Sequence, residues 1–287
     1  MLLNLKDILQ IAEEKKIAVG AFNAANLEGL EAILGGAEEL GLPVIAQFAQ
    51  CHENLTPLEV IGPAMVYMAK RAAVPVCVHL DHGETLDYLK KALDIGFTSI
   101  MYDGSVLPYD ENLKNTRLAV EMAGKAGASV EAELGSMGKR ESGAGDGTGA
   151  EDETKIYTDP ALAKRFVEET GIDALACSFG TTHGIYLTKP KLDFDVVRKV
   201  RKLTDEIPVV MHGGSGVSRE DFREAVRAGV RKVNYFTYMD KGGGSAAEYI
   251  QTVKAGEPVF FSSVIQEAEK AMKENVKEAM KTFAMMD

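Results

Sequence analysis

The fold of this chain is best predicted from one stretch, Pro75-Val76-Cys77-Val78-His79-Leu80-Asp81-His82-Gly83. A short apolar run rich in valine is typical of a buried strand, and this run ends in two polar residues and a glycine. Two other runs, 175–184 and 208–216, also carry a histidine followed by glycine near their ends. The chain has only 5 histidines, so three at predicted strand ends indicate one shared site, made of His82, His183 and His212.

Strand patterns alternate with helical patterns along the whole chain. The predicted strands are 18–23, 43–48, 74–80, 99–102, 129–134, 174–178, 207–212 and 231–235. The segments between them, such as 27–40 and 221–228, carry apolar residues at three- and four-residue spacing, as amphipathic helices do. Eight β/α units in roughly 240 residues favour a closed (β/α)8 TIM barrel over an open doubly wound sheet. In that barrel, catalytic groups follow the carboxyl ends of strands, where the three histidines fall.

Composition restricts the class of protein. With 287 residues, of which 46% are hydrophobic, the chain can form a large core, and we predict a single domain over 1–287. No run of about 18 apolar residues predicts a membrane span, and no secretory signal is visible, so we expect a cytoplasmic protein without a membrane partner. The net charge of −11, with no dense basic cluster, argues against a nucleic-acid partner.

Two Gly-rich regions interrupt the alternation of strands and helices. The segment 135–159 is too polar and too rich in glycine for a packed element, so we predict a mobile loop over the active site. The second region, 240–245, contains three consecutive glycines and is expected to precede the helices of the C-terminal part. Those extra C-terminal helices either close the barrel or pair with a second subunit.

The three strand-end histidines have the chemistry of a metal site. Neutral imidazole is a common zinc ligand, and a catalytic zinc typically has about three protein ligands and one open position. The alternative is three separate histidines that bond to loop backbone, which their matching positions disfavour. Asp81 directly precedes His82, so its carboxylate can serve as a general acid/base beside a metal-bound substrate, or it can orient a ligand.

The loop after the seventh predicted strand suits a phosphate group. Its glycines and serine, 213–216, precede a helix predicted to begin near Ser218, and backbone amides at a helix N-terminus hold anions. Barrel phosphate sites often use the loops after strands seven and eight. The candidate phosphate ligands are therefore Gly184, Gly213, Ser215, Asn234 and Thr237. The remaining histidines, His52 and His79, are interpreted as residues that the site does not need.

Taken together, these motifs resemble the class II, zinc-dependent ketose-phosphate aldolases, the family of fructose-1,6-bisphosphate and tagatose-1,6-bisphosphate aldolases. The resemblance covers nearly the whole chain and rests on the order and spacing of several motifs. They are Gly-Ala-Phe-Asn23, Leu-Asp81-His82-Gly, Ser-Ile-Met-Tyr-Asp103-Gly-Ser, Val-Glu131-Ala-Glu133-Leu-Gly, Gly-Thr-Thr-His183-Gly, Met-His212-Gly-Gly-Ser215-Gly and Lys-Val-Asn234-Tyr-Phe-Thr237.

The resemblance implies a role for each matching residue. Catalytic zinc would be bound by His82, His183 and His212, and an alternative buried metal position would use Asp103 and Glu133. The phosphate of the dihydroxyacetone-phosphate half would contact Gly184, Gly213, Ser215, Asn234 and Thr237, and Asn23 would face the substrate. Asp81 would take the proton of the C4 hydroxyl, and a glutamate of segment 135–159, either Glu141 or Glu151, would protonate the carbanionic carbon. Members of the family are usually homodimers or homotetramers.

Departures from the family pattern concern the far end of the substrate. Phe236 stands where the family has an aspartate, Leu187 where it often has a lysine, and Ala49 where it has a serine. No arginine follows Arg231, although the family commonly uses one for the distal phosphate. We therefore expect a sugar-phosphate substrate whose aldehyde half differs from glyceraldehyde 3-phosphate, unless the two cations at 139 and 140 replace the missing groups.

Two other functions remain open from the sequence. The same metal-enediolate chemistry can support epimerisation or isomerisation of a sugar phosphate. The chain could also be a non-catalytic sugar-phosphate binding subunit, which the intact Asp81 beside three histidines disfavours. A Schiff-base aldolase is disfavoured because no lysine stands at a predicted strand end in an apolar pocket.

Overall fold

The computed structural model describes residues 1–135, 157–182, 190–253 and 256–287. Within these ranges, all strand pairs of the main sheet are parallel, and eight strands close into a barrel because the second strand in the sheet order also pairs with the last. A short strand, β1 (Leu2–Leu3), precedes them. The barrel strands are β2 (Val19–Asn23), β3 (Val44–Ala49), β4 (Val76–Gly83), β5 (Ser99–Tyr102), β6 (Ser129–Leu134), β7 (Ala174–Cys177), β8 (Val209–Met211) and β9 (Val230–Tyr235). The predicted barrel and its eight strands are confirmed.

Helices surround the barrel and connect its strands. Their ends follow local sequence: α2 begins after Asn26, whose side chain accepts a hydrogen bond from the N–H of Gly29, and ends at Gly41 in the left-handed conformation. The helices are α1 (Leu5–Lys15), α2 (Leu27–Leu40), α3 (Leu58–Arg71), α4 (Leu86–Ile95), α5 (Tyr109–Ala126), α6 (Pro160–Thr170), α7 (Phe194–Leu203), α8 (Arg219–Ala228), α9 (Thr237–Val253) and α10 (Phe261–Phe283). A single 3-10 turn, Gln50–His52, follows β3.

The two ends of the barrel interior differ in polarity. At the amino ends of the strands, α1 covers the opening, and its buried Leu5, Ile8 and Leu9 pack against inward-facing apolar side chains such as Ile45 and Val210. Toward the carboxyl ends the inward-facing side chains become polar while remaining buried: Asn23, Gln47, His79, Asp81, Glu131, Glu133, His212, Lys232 and Asn234. The fold therefore places its polar interior at the end where a TIM barrel has its active site.

The C-terminal helices complete the outer layer of the same chain. Helix α10 packs against α2, α8, α9 and β2. Its Phe283 is fully buried and lies in an edge-to-face contact with Phe222 of α8, with ring centroids 4.9 Å apart. Helix α10 therefore covers the barrel of its own chain, while pairing with a second subunit stays a prediction.

The expectation for 240–245 was wrong, because these residues lie inside α9 rather than before it. One of their glycines, Gly243, serves close helix packing. A Cβ at Gly243 would lie 3.0 Å from Cγ of Met272 in α10, whereas one at Gly244 would meet nothing within 4 Å. The low helix propensity of glycine, a cost of about 1 kcal/mol per residue, is offset here by the close approach of α9 to α10.

None of the helices in the described ranges is long and apolar enough to span a membrane.

We expect Gly243→Val to destabilise the protein by about 1–3 kcal/mol, because the added methyl groups overpack the contact with Met272. The matched control is Gly244→Val, one residue along the same helix, which should change the stability by less than about 0.5 kcal/mol. Thermal unfolding followed by circular dichroism measures both. Equal effects of the two substitutions would contradict this packing role.

Candidate metal centre and active site

The end of β4 brings two consecutive polar side chains to one cavity. In a regular strand Asp81 and His82 would point to opposite faces of the sheet. Here the pairing of β4 with β5 shifts register between Leu80 and Gly83, and His82 has a left-handed backbone with φ 46°. A non-glycine residue in this region is uncommon and occurs often at functional sites. As a result, Asp81 Oδ1 lies 3.9 Å from His82 Nε2.

Two of the three predicted histidine ligands, His82 and His212, lie next to each other with their rings nearly perpendicular. His82 Nε2 and His212 Nδ1 are 3.0 Å apart. Two nitrogens that bind one tetrahedral zinc at about 2.0–2.1 Å lie about 3.3 Å from each other, so this spacing is close to what a shared ion requires. His183, the third predicted ligand, and the neighbouring Gly184 lie outside the described residues.

Each histidine is held by a carboxylate on its other nitrogen. Asp103 Oδ2 lies 2.8 Å from His82 Nδ1, and Glu131 Oε1 lies 2.8 Å from His212 Nε2. Metal-binding histidines commonly have such a partner, which fixes the tautomer and the ring orientation. The donor set therefore fits a divalent cation between the two rings.

A second set of possible ligands overlaps the first. The ligand atoms of His82, Asp103 and Glu133 lie within 4.8 Å of one another, as do those of Asp81, His82 and His212. The structure thus brings Asp103 and Glu133, the two residues predicted for an alternative metal position, together with His82. His82 is shared by both sets.

The protein groups alone set unusual protonation states. Burial would lower the pKa of His82, but the charge of Asp81 and the hydrogen bond to Asp103 outweigh it and raise the pKa to about 10. Burial likewise opposes ionisation of Asp81, yet the positive charges of His82, above all, and of Lys232 hold its pKa well below the usual range. Burial and the charge of Asp103 raise the pKa of Glu133 to about 8. A bound cation must therefore displace protons from its ligands.

Three side-chain amides hold the carboxylate of Asp81. Asn23 Nδ2 and Gln47 Nε2 donate to Asp81 Oδ2 over 3.0 and 3.2 Å, and Asn234 Nδ2 donates to Asp81 Oδ1 over 3.0 Å. Gln47 Nε2 also donates to Asn23 Oδ1 over 2.7 Å, which links two of the amides. Asp81 is thereby fixed as an oriented, buried acceptor beside the histidine pair.

The predicted substrate residues in the described ranges share one pocket with Asp81 and His82. The pocket is lined by Asn23, Ala49, Cys51, His52, Gly213, Gly214, Ser215, Asn234, Tyr235, Phe236 and Thr237 besides those two. The loop after β8 closely approaches both the loop after β7 and the end of β9 here. A Cβ at Gly213 (φ 65°) would collide with the backbone of Thr182, and one at Gly214 would lie 2.8 Å from the carbonyl oxygen of Asn234.

Several residues of the site escaped sequence reasoning. Gln47, Glu131 and Lys232 lie on the inward face of their strands, two residues from Ala49, Glu133 and Asn234 respectively, so the two-residue period of a strand was the signal that could have found them. His52 was interpreted as unnecessary, yet its ring lies 4.5 Å, centroid to centroid, from that of Phe236 in the pocket wall. Glu141 and Glu151 lie outside the described residues.

Comparison with known proteins identifies the family of the chain. The family model "Fructose-bisphosphate aldolase class-II" matches residues 3–287. A fructose-bisphosphate aldolase of Geobacillus stearothermophilus is 40% identical over 242 residues, which is 82% of this chain and 81% of that protein. "Uncharacterized protein YdjI" of Escherichia coli K12 is 36% identical over 276 residues, 95% of this chain and 94% of that protein. The crystal structure named as the YdjI aldolase of that organism superposes with a TM-score of 0.84, covering 99% of this chain and 97% of that one, at 35% identity.

The chain therefore belongs to the class II fructose-bisphosphate aldolase family. It is an aldolase, and so a lyase, built on a TIM barrel.

We expect cation binding to release protons and to strengthen as the pH rises. His82, with a pKa raised to about 10, is protonated at neutral pH and must lose its proton to become a ligand. Glu133, with a pKa of about 8, loses a second proton only if it takes part. Calorimetric titration with Co2+ at about pH 7 in buffers of different ionisation enthalpy counts these protons. About one proton indicates the His82–His212 position and about two the Glu133 position, whereas binding without proton release would contradict the assignment.

Proposed function

We propose that this protein is a zinc-dependent aldolase that reversibly cleaves a ketose phosphate into dihydroxyacetone phosphate and an aldehyde. One observation carries the proposal: two imidazole nitrogens 3.0 Å apart lie beside a carboxylate that three amides hold in place. Zinc would be held by His82, His212 and His183, with Asp103 and Glu133 as the alternative position. Bound zinc would supply positive charge beside the substrate oxygen that becomes negative as the carbon–carbon bond breaks.

Asp81 is proposed as the base of the cleavage step. Its carboxylate takes the proton of the C4 hydroxyl, the C3–C4 bond breaks, the aldehyde leaves, and the electron pair stays on the dihydroxyacetone-phosphate half as an enediolate. Glu141 or Glu151 then gives a proton to the carbanionic carbon. The lowered pKa of Asp81 and its fixed orientation support this role, because a general base must be ionised and within hydrogen-bond reach.

The phosphate of the dihydroxyacetone-phosphate half is proposed to lie between the loops after β8 and β9. Gly213, Ser215 and Thr237 line the pocket on that side. Thr237 is the first residue of α9, which has 17 residues, and a helix N-terminus favours negative charge. Gly184 and Asn234 belong to the same proposal, with Asn234 acting through its contact with Asp81.

The aldehyde half is proposed to lack a second phosphate. Phe236 and His52 form an aromatic wall, and Ala49 lies beside them. Among the described residues that line the pocket, none is a lysine or an arginine. Away from the backbone amides and helix N-terminus proposed for the first phosphate, a second doubly anionic group would be desolvated against this wall without a cationic partner.

A cleavage screen tests the proposal. We expect the purified protein to release dihydroxyacetone phosphate from ketose 1-phosphates, with a kcat/KM at least equal to that for ketose 1,6-bisphosphates. Chelation should abolish turnover, and borohydride in the presence of substrate should not inactivate the protein, since no Schiff base forms.

The other outcomes of this screen are distinct. Clearly better turnover of the bisphosphates would overturn the account of the distal end. An epimeric or isomeric sugar phosphate without dihydroxyacetone phosphate would indicate an epimerase or isomerase. Absence of any metal-dependent turnover would support a non-catalytic binding subunit.

Phe236→Ala should weaken binding of the aldehyde half of the substrate and leave binding of the dihydroxyacetone-phosphate half nearly unchanged. Loss of the aromatic face is expected to raise the KM for the aldehyde about tenfold in the condensation direction, which corresponds to about 1.4 kcal/mol, and to leave the KM for dihydroxyacetone phosphate nearly unchanged. The matched control is Phe260→Ala, because Phe260 is exposed and does not line the pocket. If both KM values moved together, or neither moved, Phe236 would not be a determinant of the aldehyde.

A further inference from the structure

A buried lysine lies beneath the site and is not explained by the proposed chemistry. Lys232 on β9 and Glu131 on β6 are both fully buried, and Lys232 Nζ lies 2.9 Å from Glu131 Oε2. Lysine is almost never fully buried unless it is paired, and removing two charges from water is costly. A pair of apolar side chains of similar volume would often serve stability as well. Stability alone therefore does not explain the pair.

The backbone of β9 directs this lysine inward. The pairing of β9 with β8 shifts by one residue, from Val209 opposite Val230 to Val210 opposite Lys232, so that Arg231 is an extra residue in β9. Arg231 bonds to Glu13 of α1 at the amino end of the barrel, while Lys232 reaches the polar layer above it. Such bulges often re-aim a side chain next to an active site.

Lys232 has two partners, and each continues to a different part of the site. Glu131 forms the ion pair with Lys232 through Oε2, while its Oε1 lies 2.8 Å from His212 Nε2. Lys232 Nζ also donates to Asn234 Oδ1 over 2.7 Å, and Asn234 Nδ2 then donates to Asp81 Oδ1 over 3.0 Å. The first path reaches a candidate metal ligand, and the second reaches the proposed base.

The second path determines which way an amide faces. An asparagine side chain can present either its oxygen or its NH2 group to a neighbour, and the two orientations have similar shapes. A cation on one side selects the oxygen for that side, so the NH2 group of Asn234 must face Asp81. With the orientation reversed, an amide oxygen would face a carboxylate oxygen, which is repulsive, and Asp81 would lose a donor.

We propose that Lys232 is a positioning residue that fixes Asp81 through Asn234. Glu131 is the counter-charge that allows Lys232 to be buried, and it orients His212 with its other oxygen. Lys232 does not itself line the pocket. In the described ranges, Asn234 is the one pocket-lining residue to which Lys232 donates a hydrogen bond. The proposal rests on the proposed function for the role of Asp81 as base.

The reaction offers a readout that separates positioning of Asp81 from general damage. Cleavage needs the base at the C4 hydroxyl. Exchange of a carbon-bound hydrogen of dihydroxyacetone phosphate with deuterium from D2O needs only the zinc, the phosphate loops and the glutamate proposed for the carbanion, because no C4 hydroxyl is present. NMR follows this exchange directly. A variant that misplaces Asp81 alone should therefore lose cleavage and keep exchange.

The variants are Lys232→Met and the double variant Glu131→Gln/Lys232→Met. The single variant leaves the Glu131 carboxylate buried without its cation, and if it does not fold, the neutral double variant keeps the side-chain volumes without a buried charge. The control is Lys277→Met, which breaks an ion pair of 2.8 Å with Glu39 on the outer helices. Zinc content is measured for every variant beside the kinetics.

We expect the folded Lys232 variant to lose about 100-fold in kcat for cleavage, the scale of general acid/base catalysis, with KM within about threefold. Deuterium exchange should stay within about threefold of the parent protein, and zinc content should be unchanged, because the histidine ligands remain. Lys277→Met should leave all of these values unchanged. Parallel loss of cleavage and exchange would show a merely structural role, and retention of full cleavage would show no role; either result overturns the proposal.

A crystal structure of the same variant tests the proposal independently of activity. Asn234 Nδ2 is expected to leave hydrogen-bond distance of Asp81 Oδ1 once Lys232 is removed. If Asn234 keeps this bond, the proposal fails even where catalysis is impaired. If the parent protein cleaves no ketose phosphate, the proposed function fails, while the amide orientation is still decided by this structure.

Discussion

Charge balance inside the barrel is the constraint on which the rest of the site depends. The polar half of the interior holds four carboxylates, on Asp81, Asp103, Glu131 and Glu133, and burial opposes ionisation of each. The pKa is nevertheless lowered for the first three, with His82 and Lys232 as neighbouring positive charges, and raised only for Glu133. Three negative charges thus face two positive ones. A divalent cation that displaces the proton of His82 would restore the balance, which is the physical basis for expecting one here.

The scaffold confines this charged cluster to one end of the molecule. Below it, α1 covers the amino end of the barrel with leucine and isoleucine side chains. Above it, the pocket opens between the loops that follow the carboxyl ends of the strands. The regular strand ends at the irregular backbone of His82, which turns two adjacent side chains toward one cavity. Rigid strands therefore position the charged groups, and loops form the surfaces that meet the substrate.

Much of this arrangement could be predicted from the sequence, and the reasons for success and failure are physical. The strands were predictable because buried parallel strands appear in a sequence as short apolar runs. The polar residues at the carboxyl ends of these runs correctly indicated the end of the barrel that holds the site. The glycines at 242–244 led to a wrong prediction of where the C-terminal helices begin. Glycine is common in turns because of its backbone freedom, but it also permits close helix packing, and the sequence does not show the partner helix that distinguishes the two. Lys232 was missed for a related reason: a lysine in a sequence indicates exposure unless its counter-charge, 101 positions earlier at Glu131, is known to lie beside it.

The histidine pair with its carboxylate partners is the centre of this account, and the anomalous diffraction of zinc-loaded crystals tests it most directly. We expect an anomalous peak at about 2.0–2.1 Å from both His82 Nε2 and His212 Nδ1. A zinc ion that is bound in crystals of the active protein, but not to a ring nitrogen of His212, would contradict the assignment of the histidine pair as metal ligands.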